Sequence, residues 1–234
     1  MRYNSALRND PDLPMRPRLK ICCISTPQEA ALAIRAGADA LGLVGAMPSG
    51  PGVIDDATIR TIALDLPAGV SGFLLTQECT AEAIAAHVTR SAVSTVQVVN
   101  HVVPDELRRL REAMPALRIV QVIHVEDAGA LDLIPQYEPH VHSFLLDSGS
   151  PTAAVPLLGG TGRVHDWSVS AEFVRRAGRP VFLAGGLNPG NVAEALRVVK
   201  PYGLDICSGV RTSGRLDADK LAAYVPAARS VSVG

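Results

Sequence analysis

Residues 19–37 read LKICCISTPQEAALAIRAG, and this stretch decides the fold. The apolar run Leu19-Lys20-Ile21-Cys22-Cys23-Ile24 predicts a short strand. Thr26-Pro27-Gln28-Glu29 then supplies a helix start, with a capping box and proline at the first helical position. Gly37 ends the helix, as glycine does where the chain must turn left-handed. A strand that runs directly into a capped helix is one βα unit, and the unit recurs down the chain.

Working outward, strand Ala40 to Val44 precedes a helix from about Asp56 to Leu64, and strand Val70 to Leu75 a helix capped by Thr80. Strand Thr95 to Val99 precedes a helix opening at Pro104, and strand Arg118 to Ile123 a short helix near Asp127 to Leu133. Strand Ser143 to Leu146 leads through a long loop to a helix over Ser168 to Ala177. Strand Pro180 to Ala184 precedes a helix capped by Asn188, and strand Leu204 to Cys207 a last helix around Asp217 to Tyr224. The strands are short and apolar throughout, as expected where both faces are buried. Eight such units predict an α/β fold, a parallel (β/α)8 TIM barrel in a single domain. A doubly wound open sheet is the rival arrangement.

The 234 residues suit one such barrel, with residues 1–18 read as a flexible Pro- and Arg-bearing tail and 19–234 as the barrel domain. Twenty-two basic and 23 acidic residues give a net charge of −1, which offers no attraction to nucleic acid. No apolar run is long enough to span a membrane, and the first residues lack a signal-like apolar core. Four scattered cysteines, Cys22, Cys23, Cys79 and Cys207, do not make a disulfide framework, so the expected compartment is the cytoplasm.

In this fold chemistry sits at the C-terminal ends of the strands. Gly185-Gly186 after strand seven and Ser208-Gly209 after strand eight lie where barrels hold phosphate, and glycine lets backbone amides approach an anion closely. Either pair alone would suggest only a tight turn; two on adjacent strands point to a phosphorylated small molecule. The stretch LLDSGSPTAAVPLLGGTGRVHDW, residues 145–167, places a lone carboxylate, Asp147, at a strand end. The long loop behind it closes on Gly159-Gly160-Thr161-Gly162. Loops of that length in a compact domain are commonly functional, and this one reads as an active-site flap. Alternation along strand one puts Lys20 and Cys22 on one face and Cys23 on the other. Cys22 could be a buried small hydrophobe, but paired with Asp147 it suggests a base and an acid across a barrel mouth. Lys20, further down the strand, needs a buried carboxylate partner, for which Asp205 is the candidate.

Taken in order, Lys20-Ile21-Cys22, Ala36-Gly37-Ala38-Asp39-Ala40-Leu41-Gly42, Leu145-Leu146-Asp147-Ser148, Gly159-Gly160-Thr161-Gly162 with Asp166-Trp167, Leu183-Ala184-Gly185-Gly186-Leu187-Asn188-Pro189, and Asp205 with Ser208-Gly209-Val210 resemble phosphoribosylanthranilate isomerase of tryptophan biosynthesis. The resemblance runs from Leu19 to Tyr224. It implies an Amadori rearrangement with Cys22 as general base and Asp147 as general acid. Phosphate would sit on Gly185, Gly186, Ser208 and Gly209, and Lys20, Gln97, Gly160, Thr161, Gly162 and Asp205 would contact substrate. It implies no cofactor and no metal, and a phosphorylated sugar-amine as the small-molecule partner; the apolar helix faces suit a monomer or a homodimer.

The departures gather on the side facing the aromatic ring. Cys23 stands where the family has glycine, and Ser49-Gly50-Pro51-Gly52 lacks the arginine expected near the anthranilate carboxylate. Val99-Asn100 replaces His-Gly, Cys207 replaces serine and Arg211 replaces glutamate. An ordinary isomerase would then take its carboxylate contact from His101, His124 or Arg211. The alternatives are a relative that rearranges another phosphoribosyl amine, or a phosphosugar-binding protein with little catalysis. Neighbouring strands also raise the possibility of a Cys22–Cys207 disulfide.

Overall fold

The computed structural model describes residues 16–48, 50–148 and 166–231. Eight parallel strands close into a barrel in chain order: β1 (Arg18–Ile21), β2 (Ala40–Val44), β3 (Ser71–Thr76), β4 (Thr95–Val98), β5 (Arg118–His124), β6 (Ser143–Asp147), β7 (Val181–Leu183) and β8 (Gly203–Ile206). The closing pair is β8 with β1, in which Lys20 stands opposite Asp205. The open doubly wound sheet is thereby excluded.

Helices α1 (Pro27–Ala36), α2 (Asp56–Leu64), α3 (Ala81–Ser91), α4 (Pro104–Ala113), α5 (Ile134–Tyr137), α6 (Trp167–Arg176), α7 (Val192–Val199) and α8 (Ala218–Arg229) alternate with the strands. A 3₁₀ turn, Ala128–Leu133, precedes the short α5. Among the described residues no helix is long and apolar enough to cross a membrane.

Strand alternation divides the core in two. Leu19, Ile21, Leu41, Leu43, Leu74, Ile119, Ile123, Phe144, Leu146 and Leu204 pack outward in one cluster with the helices. Cys22, Val44, Phe73, Leu75, Val99, Val120, Val122, Leu145 and Phe182 form a second cluster that fills the barrel. The period of two places Lys20, Gln97, His124, Asp147 and Asp205 on the inward face with the second set.

Most helix starts follow the sequence signals. Thr26 Oγ1 accepts from the Glu29 N–H at 3.1 Å, while Asp55 and Thr80 cap α2 and α3 in the same way. Three readings need correction. Helix α7 begins at Val192 with Asn191 as its cap residue, not at Asn188. The Asn188 side chain is already used by the Gly190 N–H at 2.8 Å, in a turn that delays the helix. Helix α8 runs through Pro226 to Arg229, because Tyr224, Val225 and Ala228 on its buried face outweigh one lost backbone bond. The third is a hairpin absent from the sequence reading, β9 (Arg211–Thr212) with β10 (Arg215–Leu216). Its turn, Ser213-Gly214, has positive φ at both residues, the geometry that favours two-residue hairpins.

At the opposite end of the barrel, Asp39 accepts from Arg16, Arg18 and the Leu19 N–H. Strand β1 therefore starts at Arg18, within the stretch read as tail. The rest of that tail, residues 1–15, lies outside the described residues, as do residues 149–165, which include Gly160, Thr161, Gly162 and most of the predicted flap.

Candidate active site

Cys22 and Lys20 project from one side of β1 into the barrel. Lys20 has no exposed surface; its Nζ donates to Asp205 Oδ2 at 2.8 Å and to Cys22 Sγ at 3.3 Å. Burial works against its charge, yet Asp205 and Cys22 hold its pKa above the ordinary lysine value. The charged ammonium therefore faces the sulfur. Asp205 Oδ1 is buried without a hydrogen-bond partner, so one acceptor of the pair remains unused.

Room for this cluster comes from Gly42 on β2. A Cβ there would stand 2.6 Å from Cys22 Sγ and 3.0 Å from Lys20 Nζ, closer than packed atoms tolerate.

Asp147 ends β6 on the inward face, partly exposed. Burial raises its pKa above the usual carboxylate value; the Ser148 N–H, donating at 2.7 Å, and the Lys20 charge pull the other way. Asp205 and Asp147 also interact electrostatically, which helps keep the Asp205 carboxyl raised after burial, its main cause. The thiol, the ammonium and both carboxyls thus belong to one charge-linked group at the mouth.

The two glycine turns meet beside it. Gly185 and Gly186 take φ of 85° and 64°, left-handed values that glycine adopts without strain. A Cβ on Gly209 would lie 2.2 Å from the Leu187 carbonyl oxygen, so the turn after β8 rests directly on the turn after β7. A Cβ on Gly185 would come 2.9 Å from Ser148 Oγ, which brings the acid's neighbour to the same cradle. Ser208 is exposed there, opening the 3₁₀ turn Ser208–Val210.

Across the barrel, Gln97 is buried on the inward face of β4 with its Oε1 unpartnered. His124 stands next to Asp147 in the β5–β6 register. Its Nε2 lies 2.9 Å from the Val99 carbonyl, which fixes the proton on that nitrogen and leaves buried Nδ1 as an unpartnered acceptor. An acceptor does not suit a carboxylate. Exposed His101 lies with its ring 5.5 Å from that of His124.

Arg211 is held within the protein through both terminal nitrogens, which leaves only its buried Nε without a hydrogen-bond partner. It is buried, pairs with Glu29 at 3.2 Å, and donates to the carbonyls of Cys22 at 3.1 Å, Cys23 at 2.5 Å and Gly214 at 2.9 Å. Glu29 also accepts from the Leu216 N–H at 2.8 Å. The glutamate read only as a helix cap therefore holds the β9–β10 hairpin to the end of β1, a role its spacing does not announce.

Cys23 does not pack under the helices. With φ of 62° it turns back into the barrel cluster, and its sulfur lies 2.8 Å from Cys207 Sγ. The sulfur beside Cys207 is thus that of Cys23, not Cys22.

The model of the family described as N-(5'phosphoribosyl)anthranilate (PRA) isomerase matches residues 19–227. N-(5'-phosphoribosyl)anthranilate isomerase 2 of Methanosarcina mazei is 37% identical over 215 residues, covering 91% of this chain and 94% of that protein. The crystal structure of phosphoribosyl anthranilate isomerase from Thermotoga maritima superposes with a TM-score of 0.79 at 27% identity, covering 92% of this chain and 100% of that one. A phosphoribosyl anthranilate isomerase in complex with reduced 1-(o-carboxyphenylamino)-1-deoxyribulose 5-phosphate gives a TM-score of 0.76 at 25% identity, with coverage of 92% and 100%.

Proposed function

The chain belongs to the N-(5'-phosphoribosyl)anthranilate isomerase family, and on that premise we propose that Cys22 and Asp147 are the base and acid of its reaction. That reaction is the Amadori rearrangement of N-(5-phosphoribosyl)anthranilate to 1-(2-carboxyphenylamino)-1-deoxyribulose 5-phosphate. Asp147 gives its proton to the furanose ring oxygen as the substrate nitrogen's lone pair expels it from C1, opening the ring to an iminium. The Cys22 thiolate then removes the proton from C2. The C–H electrons form the C1–C2 double bond, and the iminium electrons return to nitrogen. The resulting enolamine takes a proton at C1 and loses the hydroxyl proton at C2 to become the ketone. The substrate nitrogen serves as the electron relay, so this aldose–ketose isomerisation calls for no metal or organic cofactor.

One observation carries the reading: a buried ammonium 3.3 Å from Cys22 Sγ, in the same charge-linked group as an acid whose pKa burial has raised. Burial holds the Asp147 carboxyl above its ordinary pKa, as a general acid requires, and the Lys20 ammonium lies against the sulfur that is to take the C2 proton. Glycine amides at 185, 186 and 209, with Ser208, hold the phosphate. Asp205 Oδ1, Gln97 and His124 Nδ1 offer acceptors to sugar hydroxyls and the substrate amine. His101, exposed beside them, takes the anthranilate carboxylate. Work on a soluble metabolite with a reduced thiol sets the enzyme in the cytoplasm. The test is loss of substrate fluorescence on mixing purified protein with freshly generated phosphoribosylanthranilate. Absence of turnover, with phosphate still bound, would favour a sugar-phosphate binder.

A further inference from the structure

Three sulfurs crowd the junction of β1 and β8, and the reaction above uses one. The remaining pair has a geometry of its own: Cys23 Sγ and Cys207 Sγ are 2.8 Å apart. Cys23 is held in place by its left-handed backbone, which non-glycine residues seldom adopt, by the Arg211 guanidinium on its carbonyl, and by contact with Gly52. Cys207 is partly exposed and immediately precedes Ser208-Gly209.

We propose that Cys23 and Cys207 are a reversible dithiol–disulfide site that reacts with hydrogen peroxide and, when oxidised, tethers the turn after β8 to the end of β1. Cys207, the more exposed sulfur, attacks one peroxide oxygen. The O–O bond breaks, Cys207 becomes a sulfenic acid, and the leaving hydroxide takes a proton to become water. The Cys23 sulfur then attacks the Cys207 sulfur, forming the S–S bond and expelling the sulfenic oxygen as hydroxide. The Cys23 proton converts it to a second water. Two thiols and one peroxide yield one disulfide and two waters, with peroxide as the oxidant.

The electrostatics divide the roles in the same way. The hydrogen bond with Cys23 and then the nearby Arg211 charge lower the Cys207 pKa, against its burial and the Asp205 charge. The bonds with Cys207 and Cys22, followed by burial, raise that of Cys23. The first is the attacking thiolate and the second the resolving thiol.

Bond formation shortens the sulfur separation to about 2.05 Å, so the Cys207 turn is drawn toward β1. The functional consequence rests on the reading that Ser208 and Gly209 bind phosphate: oxidation raises KM, whereas damage to Cys22 lowers kcat.

The experiment treats the full chain with equimolar hydrogen peroxide, blocks remaining thiols with N-ethylmaleimide after denaturation, and maps non-reduced peptides by mass. Cys22 and Cys23 share one tryptic peptide, so fragmentation between them locates the link. The expected product joins Cys23 to Cys207, persists in Cys22→Ser and is absent in Cys23→Gly, a substitution suited to the left-handed backbone. A link through Cys22, a sulfinic acid at Cys207 without a link, or four unmodified thiols would overturn the pair. None of these outcomes needs a substrate, so they stand apart from the proposed activity. Kinetically, KM should rise at least ~5-fold with kcat within ~2-fold, reversed by dithiothreitol, and Cys207→Ser should show no such reversible rise. A confirmed link with unchanged KM would overturn the coupling to the phosphate turn.

Discussion

Lys20 on β1 and Asp205 on β8 stand opposite each other where the barrel closes and form a buried ion pair of 2.8 Å. The same ammonium reaches Cys22 at 3.3 Å, so the side chain that closes the fold also lies against the proposed base. Lys20→Met leaves Asp205 buried and unpaired, which costs about 3–5 kcal/mol. Urea unfolding should show that loss. Lys20→Met with Asp205→Leu should recover much of the stability and none of the activity.

Gly42→Ala tests the space around the base. The new methyl would sit 2.6 Å from Cys22 Sγ, so the sulfur has to move. Overpacking of this kind costs about 1–3 kcal/mol. Displacing a catalytic atom by a fraction of an ångström can cost one to two orders of magnitude in rate, so kcat should fall at least ~10-fold. Circular dichroism should show the barrel retained.

Asp147 sets function against stability. Burial raises its folded pKa, so the fold binds the protonated carboxyl better than the unfolded chain does. That advantage is complete below the unfolded value and is lost as pH rises through the folded one. At pH 7 the fold must either hold that proton or bury the charge in its place, and a neutral asparagine avoids both costs. Asp147→Asn should therefore melt higher than wild type at pH 7 while losing turnover. An unchanged or lower melting temperature would argue against the buried acid.

His142 provides a pH dependence away from the mouth. Its Nδ1 accepts from the Ile119 N–H at 3.0 Å, which requires an unprotonated ring nitrogen. Burial first, then the charges of Arg111, Arg118 and Arg179, lower its pKa to about 4. A depressed folded pKa contributes stability that is present above the unfolded value, about 6.5, and lost as pH falls toward about 4. Melting temperatures recorded across that interval should decline less steeply in His142→Asn than in wild type.

The barrel was legible because several units announce themselves locally: Thr26 and Thr80 cap their helices, and Gly37 ends its helix in the left-handed region. Alternation on β1 likewise places Lys20 with Cys22, and strand order brings Asp205 to Lys20. Cys23 was misread because alternation assumes an extended backbone, and its φ of 62° breaks the pattern at the residue after Cys22. Arg211 and Glu29 were opaque for a different reason. Their partners lie 182 positions apart, and no local spacing reveals that a helix-capping glutamate also anchors a hairpin beyond β8.

We propose that Cys22 and Asp147 act on one sugar phosphate as base and acid. The most direct measurement is single-turnover loss of phosphoribosylanthranilate fluorescence with wild type, Cys22→Ala and Asp147→Ala, alongside inorganic phosphate titrations of all three. The account predicts rapid decay for wild type, rates lower by ~10²–10⁴ for each variant, and phosphate binding unchanged within ~2-fold. Equal rates for wild type and Cys22→Ala would contradict it.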